Sequence, residues 1–247
     1  MLYSSIGYYA LLFGLIISLP IFFFSIKNFK SDHILDFKII TFSFIQLFLV
    51  VISFLGLVFS FIYSDFSNET VFNNSHTTKP LFYKISGTWG NHEGSLLLWL
   101  VVLTLFIFLF LIKSRGLLKK YRILTVLFQQ IIIIGFFTFL LKSSSPFNYI
   151  FPVPDEGMGL NPILQDPALA IHPPILYLGY VGSSIIFSSV LAATTLRYIS
   201  KSWATHIKSW ILVSWIFLTL GILLGSIWAY YELGWGGFWF WDPVENA

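Results

Sequence analysis

The stretch Phe42-Ser-Phe-Ile-Gln-Leu-Phe-Leu-Val-Val-Ile-Ser-Phe-Leu-Gly-Leu-Val-Phe-Ser-Phe-Ile62 decides the fold. It carries no charge and is apolar on every side of a helix. It does not alternate apolar with polar, as a membrane-barrel strand of about 10 residues would. The run from Trp210 to Ala229 reads the same way. A surface helix of a soluble protein keeps a polar face, and neither run has one. Inside a bilayer every backbone N–H and C=O must be paired within the structure, which leaves helices and closed barrels. Without alternation, helices remain.

The rest of the chain agrees. Of its 247 residues, 57% are hydrophobic and 10% are charged, against about 25% charged in a soluble domain. Lipid is therefore the solvent for most of the chain. A span needs about 20 apolar residues, and the sequence predicts six, at 7–26, 39–63, 95–112, 123–141, 174–193 and 209–230. The expected class is all-α, a polytopic transmembrane helix bundle forming one domain over 1–247.

Charge sets the expected orientation. The connections 27–38, 113–122 and 194–208 hold 11 of the 14 basic residues, among them Lys113, Arg115, Lys119, Lys120 and Arg122. The other side keeps Lys79, Lys84 and Lys142. Basic loops stay on the cytoplasmic or matrix side. The N-terminus and the segments 64–94, 142–173 and 231–247 are thus expected on the outer side, the periplasm or intermembrane space. The inner loops read as topology determinants. The outer ones are long and rich in proline and aromatic residues, so function is sought there.

Several classes recede. No cysteine is present, which excludes thiolate metal sites and cysteine nucleophiles. The net charge of +3 is too small and too dispersed for a nucleic-acid partner. The first apolar run lacks the basic approach and small-residue exit of a cleaved signal and is read as a retained span. Ionisable residues are nearly absent from the spans, and Gln129 and Gln130 form their most polar pair, which disfavours ion-coupled transport.

Three outer segments carry candidate chemistry. The last reads Trp235-Gly-Gly-Phe-Trp-Phe-Trp-Asp242 and continues to Glu245. Glycines permit close backbone approach, and tryptophan offers a broad apolar face with one N–H at its edge. Such a segment makes a shelf for a large planar molecule. An interfacial aromatic belt is the competing reading, although a belt needs neither the glycine pair nor the acids. The second reads Asp166-Pro-Ala-Leu-Ala-Ile-His172-Pro-Pro174. His172 is placed just before the fifth span, with one proline in its first turn. A neutral imidazole there can ligate haem iron, while capping is the commoner role for a lone histidine at a helix start. The third reads Gly90-Asn-His-Glu-Gly-Ser-Leu-Leu-Leu-Trp99. Asn91 or Ser95 suits a cap, and His92 and Glu93 are either secondary ligand contacts or loop-stabilising groups. His76 reads as solvated, and His33 and His206 are assigned no role.

The segment from Trp235 to Asn246 resembles the tryptophan-rich WWD signature of the haem-handling superfamily. The other two segments are similar to those of its CcmF family. Phe238 stands where many relatives have tryptophan. The resemblance implies c-type cytochrome biogenesis by a subunit of a cytochrome c haem lyase. It implies that b-type haem, as bound substrate, rests on a loop built from Trp235, Gly236, Gly237, Trp239, Trp241 and Asp242, with His172 as one axial ligand. Implied partners are the haem chaperone CcmE, an apocytochrome c bearing Cys-x-x-Cys-His, thiol-reducing subunits such as CcmH, and membrane lipid. The family's second outer histidine lies downstream of the loop. The expectation is therefore either a fragment of a longer protein or a split gene whose second CcmF chain completes the site. Composition rich in Phe, Ile, Ser and Asn suits the mitochondrial inner membrane, with the bacterial inner membrane as the alternative. A haem transmembrane transporter is the alternative function.

Overall fold

The computed structural model describes residues 1–30, 36–232 and 234. Among these residues the regular structure is helical, and the one β-bridge joins Asn68 to Tyr149. The helices are α1 (Leu2–Lys30), α2 (Asp36–Ile62), α3 (Glu69–Asn74), α4 (Leu81–Gly87), α5 (His92–Lys113), α6 (Lys119–Lys142), α7 (Pro167–Tyr180), α8 (Ser183–Thr195) and α9 (Lys201–Glu232). Among the described residues six helical stretches are long and apolar enough to cross a membrane. Five contain an expected span whole, and the second ends at Ile62, one residue short of the expected 39–63.

Helix α6 lies between α1 and α8, α5 bridges α2 to α6, and α9 packs chiefly along α7. The core is aliphatic and aromatic, with Leu11, Leu57, Phe61, Leu97, Phe110, Tyr121 and Phe137 fully enclosed. Polar residues are threaded through it. Gln46 and Gln130 exchange amide hydrogen bonds of 3.2 and 3.0 Å across α2 and α6, and Gln46 also donates to Ser18 at 2.6 Å. Gln129 donates to Ser184 and accepts from Ser188. These three glutamine amides are each satisfied by a neighbouring helix, the common economy of bundles in lipid.

Two expectations need correction. Arg122 is not a loop charge. It lies inside α6, 3% exposed. Its Nε donates to Ser114 Oγ at 3.1 Å and its Nη2 to the Leu111 carbonyl at 3.0 Å. A guanidinium suits the unpaired carbonyls at a helix C-terminus, and the return from α5 to α6 delivers it there. The segment 64–94 is not a bare loop either, since it contains α3, α4 and the start of α5.

The fifth span also differs from its expected form. It starts at Pro167, breaks after Tyr180 and resumes as α8. Asp166 caps it, its Oδ1 accepting from the N–H of Ala168 at 2.8 Å and of Leu169 at 3.0 Å. Pro167 takes the first helical position, where its missing N–H costs nothing. Both Pro173 and Pro174 therefore lie inside the helix, and His172 lies in its second turn rather than before it. A proline inside a helix leaves the carbonyl four residues earlier without its donor. For Pro174 that carbonyl belongs to Ala170, and Trp89 Nε1 donates to it at 2.8 Å.

Candidate functional site

The segments between spans two and three and between four and five close together over one end of the bundle. Ile150 N–H donates to the Ser67 carbonyl and Glu69 N–H to the Asn148 carbonyl, both at 2.9 Å. Further on, Met158 N–H reaches the Phe72 carbonyl and Gly159 N–H the Ser75 carbonyl. The N-terminal amine pairs with Asp65 at the same end. Two of the three segments expected on one membrane side, 64–94 and 142–173, thus form one interlocked cap.

His76 belongs to this clasp rather than to open solvent. Its Nε2 lies 3.6 Å from Glu156, and the Thr77 hydroxyl donates to Glu156 at 2.6 Å. The Thr77 hydroxyl, with help from its backbone N–H and His76, holds the Glu156 carboxyl below its ordinary range. Burial pushes Lys79 down to about 8, and its ammonium donates to the Asn74 carbonyl.

His172 is part-buried against α9. Its Nδ1 lies 2.7 Å from the Gly221 carbonyl. A carbonyl has no proton to give, so Nδ1 carries the hydrogen. In the neutral ring the lone pair is then on Nε2, the state a metal requires. The donor chemistry therefore fits haem iron.

Beside α7 opens a cavity of about 500 Å³, lined by Trp89, His92, Trp99, Leu160, Pro173 and Tyr177 among others. Asn91 caps α5, its Oδ1 accepting from Gly94 N–H at 2.8 Å. Ser95 donates to the Trp89 carbonyl at 2.7 Å and accepts from the Tyr177 hydroxyl at 3.2 Å. Trp99 packs edge-on against Tyr177 with ring centres 5.4 Å apart. Ser86 Oγ and Trp99 Nε1 have no partner among the described residues, and both residues line this cavity.

The expected site residues are only partly brought together. His92 lines the cavity, and its Nδ1 lies 3.0 Å from the Oγ of Ser144, a residue of the neighbouring polar cleft. Its neighbour Glu93 lines a separate polar cleft with Glu69, Ser144 and Asn148. His172 faces α9 and is not in the lining of the large cavity, which Pro173 joins instead. Trp235, Gly236, Gly237, Trp239, Trp241 and Asp242 lie outside the described residues. Sequence reading missed Trp89 as the partner of α7 and Gly221 as the partner of His172. The pair Asp166-Pro167, a cap followed by a first-turn proline, was the available signal that α7 begins early.

The model of the family described as cytochrome C assembly protein matches residues 89–247. The cytochrome c-type biogenesis protein CycK of Bradyrhizobium diazoefficiens is 54% identical over 202 residues, covering 82% of this chain and 31% of its own length. CycK of Rhizobium meliloti is 52% identical over 199 residues, covering 81% and 29%. CcmF of Escherichia coli is 46% identical over 196 residues, covering 79% and 30%. The chain thus spans about a third of the length of the curated relatives it matches. A solved structure titled cytochrome c heme lyase CcmF aligns with 99% of this chain and 39% of its own, at TM-score 0.83 and 28% identity. The family match over more than half the sequence, the identity to these relatives and the structural likeness over 99% of the chain agree, and the chain belongs to the cytochrome c assembly protein family.

Proposed function

We propose that this chain forms the haem-holding portion of a c-type cytochrome biogenesis protein, with His172 as one axial ligand and the loop 235–242 as the shelf. The observation that carries this reading is the His172 tautomer. Donation from Nδ1 to Gly221 leaves Nε2 ready for iron. The family supports it, since the relatives are named for cytochrome c-type biogenesis and one solved structure for heme lyase.

The chain's share of the work is binding and orientation. His172 fixes one iron-facing nitrogen on α7. Trp235, Trp239 and Trp241 offer flat faces, and Gly236 and Gly237 allow close backbone approach. Bound haem supplies the vinyl groups that add the two thiols of Cys-x-x-Cys-His as thioethers. Holding both reactants in register is the protein's contribution to that addition. CcmE as haem donor, CcmH-type subunits, and a second chain or further length bearing the second ligand are the partners this reading requires.

The functional face is the cap over residues 64–94 and 142–173 together with 231–247, on the outer side, in one transmembrane domain. The bacterial origin of the relatives supports the bacterial inner membrane. Nothing in the relatives favours the mitochondrial location expected from composition. Transmembrane haem transport ranks second, because the buried amides of Gln46, Gln129 and Gln130 are spent on helix partners.

The test is haem absorption of the protein purified from its own membrane with its natural partners. His172→Ala should weaken the spectrum. Trp239→Ala and Asp242→Ala should lower holo-cytochrome c while the protein stays in the membrane. An unchanged spectrum removes His172 from the site, and normal cytochrome maturation in both loop variants removes the shelf.

A further inference from the structure

We propose that Gly221 and Gly225 of α9 seat His172 and set its tautomer, which makes α9 the positioning element for the iron-facing nitrogen. The proposal rests on reading His172 as the ligand. It goes further by assigning a role to two residues that do not touch the iron.

The spacing Gly221-x-x-x-Gly225 is familiar as a helix-packing motif in membranes. Here the two glycines do different things. A Cβ at Gly221 would fall 2.6 Å from Leu176 Cα and 2.9 Å from Leu176 N. Its absence lets the α7 backbone approach α9, and the same closeness brings the Gly221 carbonyl to 2.7 Å from His172 Nδ1. A Cβ at Gly225 would strike the imidazole itself, at 2.6 Å from Cε1, 2.9 Å from Nδ1 and 3.3 Å from Nε2. Those ring atoms are its three nearest neighbours. Gly225 is therefore the floor under the ring, one helical turn beyond the carbonyl that orients it.

The pairing has a chemical consequence. An unrestrained neutral imidazole distributes its proton over both nitrogens, and the form protonated on Nε2 has no lone pair at that nitrogen to offer iron. The Gly221 carbonyl rewards only the form protonated on Nδ1. A methyl at position 225 displaces the ring, lengthens the bond to Gly221 and releases that restriction. Partners of this outer-shell kind typically change metal affinity about 10- to 100-fold.

The experiment uses the protein from its own membrane with its natural partners. Nitrogen-15 histidine spectra of the haem-free protein should place the His172 proton on Nδ1 in the wild type and lose that assignment in Gly225→Ala. Haem titration of Gly225→Ala should require about 10- to 100-fold more haem, and added imidazole should restore the wild-type absorption bands. Gly225→Ala combined with His172→Ala removes the clash and should stay in the membrane at wild-type level. A wild-type His172 protonated on Nε2 overturns the proposal without any variant. Wild-type haem affinity in Gly225→Ala, with affinity lost in His172→Ala, overturns the positioning role and leaves the ligand reading intact. Unchanged haem binding in His172→Ala removes the ligand reading and this proposal with it.

Discussion

Trp89 Nε1 donates a 2.8 Å hydrogen bond to the carbonyl of Ala170, the carbonyl that Pro174 leaves without a helical donor. One residue therefore repairs a defect created by another 85 positions away in sequence, and it joins the approach to span three to the first turn of span five.

Removing that donor strands a buried carbonyl. Trp89→Phe keeps the stacking on Phe54, whose ring centre lies 6.3 Å away, but should cost about 1–3 kcal/mol. Pro174→Ala restores the helical N–H, so the same Trp89→Phe change should cost much less in that background. Unfolding in mixed micelles measures both, and strictly additive losses would disprove the repair.

The amide pair Gln46–Gln130 behaves as a unit. Either change to Leu leaves one buried amide short and should destabilise by about 1–2 kcal/mol. The double change should recover part of that, with a coupling near 0.6 and no more than about 1.7 kcal/mol. A double-mutant cycle gives the value directly, and zero coupling would mean that the two amides act independently.

Burial holds Lys79 down to about 8. Its neutral fraction near that pH far exceeds that of an ordinary lysine. Amine acylation at pH 8, read by peptide mass spectrometry, should modify Lys79 before exposed Lys119 or Lys201. The sign for stability follows. The unfolded chain binds more protons than the folded one between about 8 and the ordinary lysine value, so the 73–79 clasp tightens as pH rises through that window. Equal labelling of the three lysines would contradict the burial effect.

The Glu156 carboxyl is lowered too, by hydrogen bonding rather than by burial. Its carboxyl is held below its ordinary range by the Thr77 hydroxyl. Its contribution is therefore present above the ordinary carboxylate value and is lost as pH falls through the lower folded value. Protection of the amides at 75–79 against hydrogen exchange, corrected for the intrinsic pH dependence of exchange, should fall on acidification, and Thr77→Val should weaken that dependence.

Orientation can be read by labelling, because the chain has no cysteine. Ser145→Cys in the cap should react with an impermeant maleimide on intact cells. Lys119→Cys should react only after lysis. The opposite pattern would invert the topology.

The sequence alone determined the spans. Lipid imposes one local rule, that about 20 apolar residues must cross as a helix, and this rule needs no neighbours to apply. The asymmetry of basic residues and the three motif segments were equally local, so the likeness to the family was legible without coordinates. Tertiary structure decided where polar groups find partners. Arg122 reads as one more loop charge until the turn between α5 and α6 brings it to Ser114 and Leu111. Two prolines in a row read as the edge of a helix until Asp166 caps an earlier start and Trp89 takes the freed carbonyl. His172 reads as a candidate ligand from its neighbours in sequence, but its tautomer is fixed by Gly221 on another helix. In a bundle surrounded by lipid, each buried hydrogen bond is settled by whichever helix lies alongside, and the sequence of a single segment does not specify its neighbour.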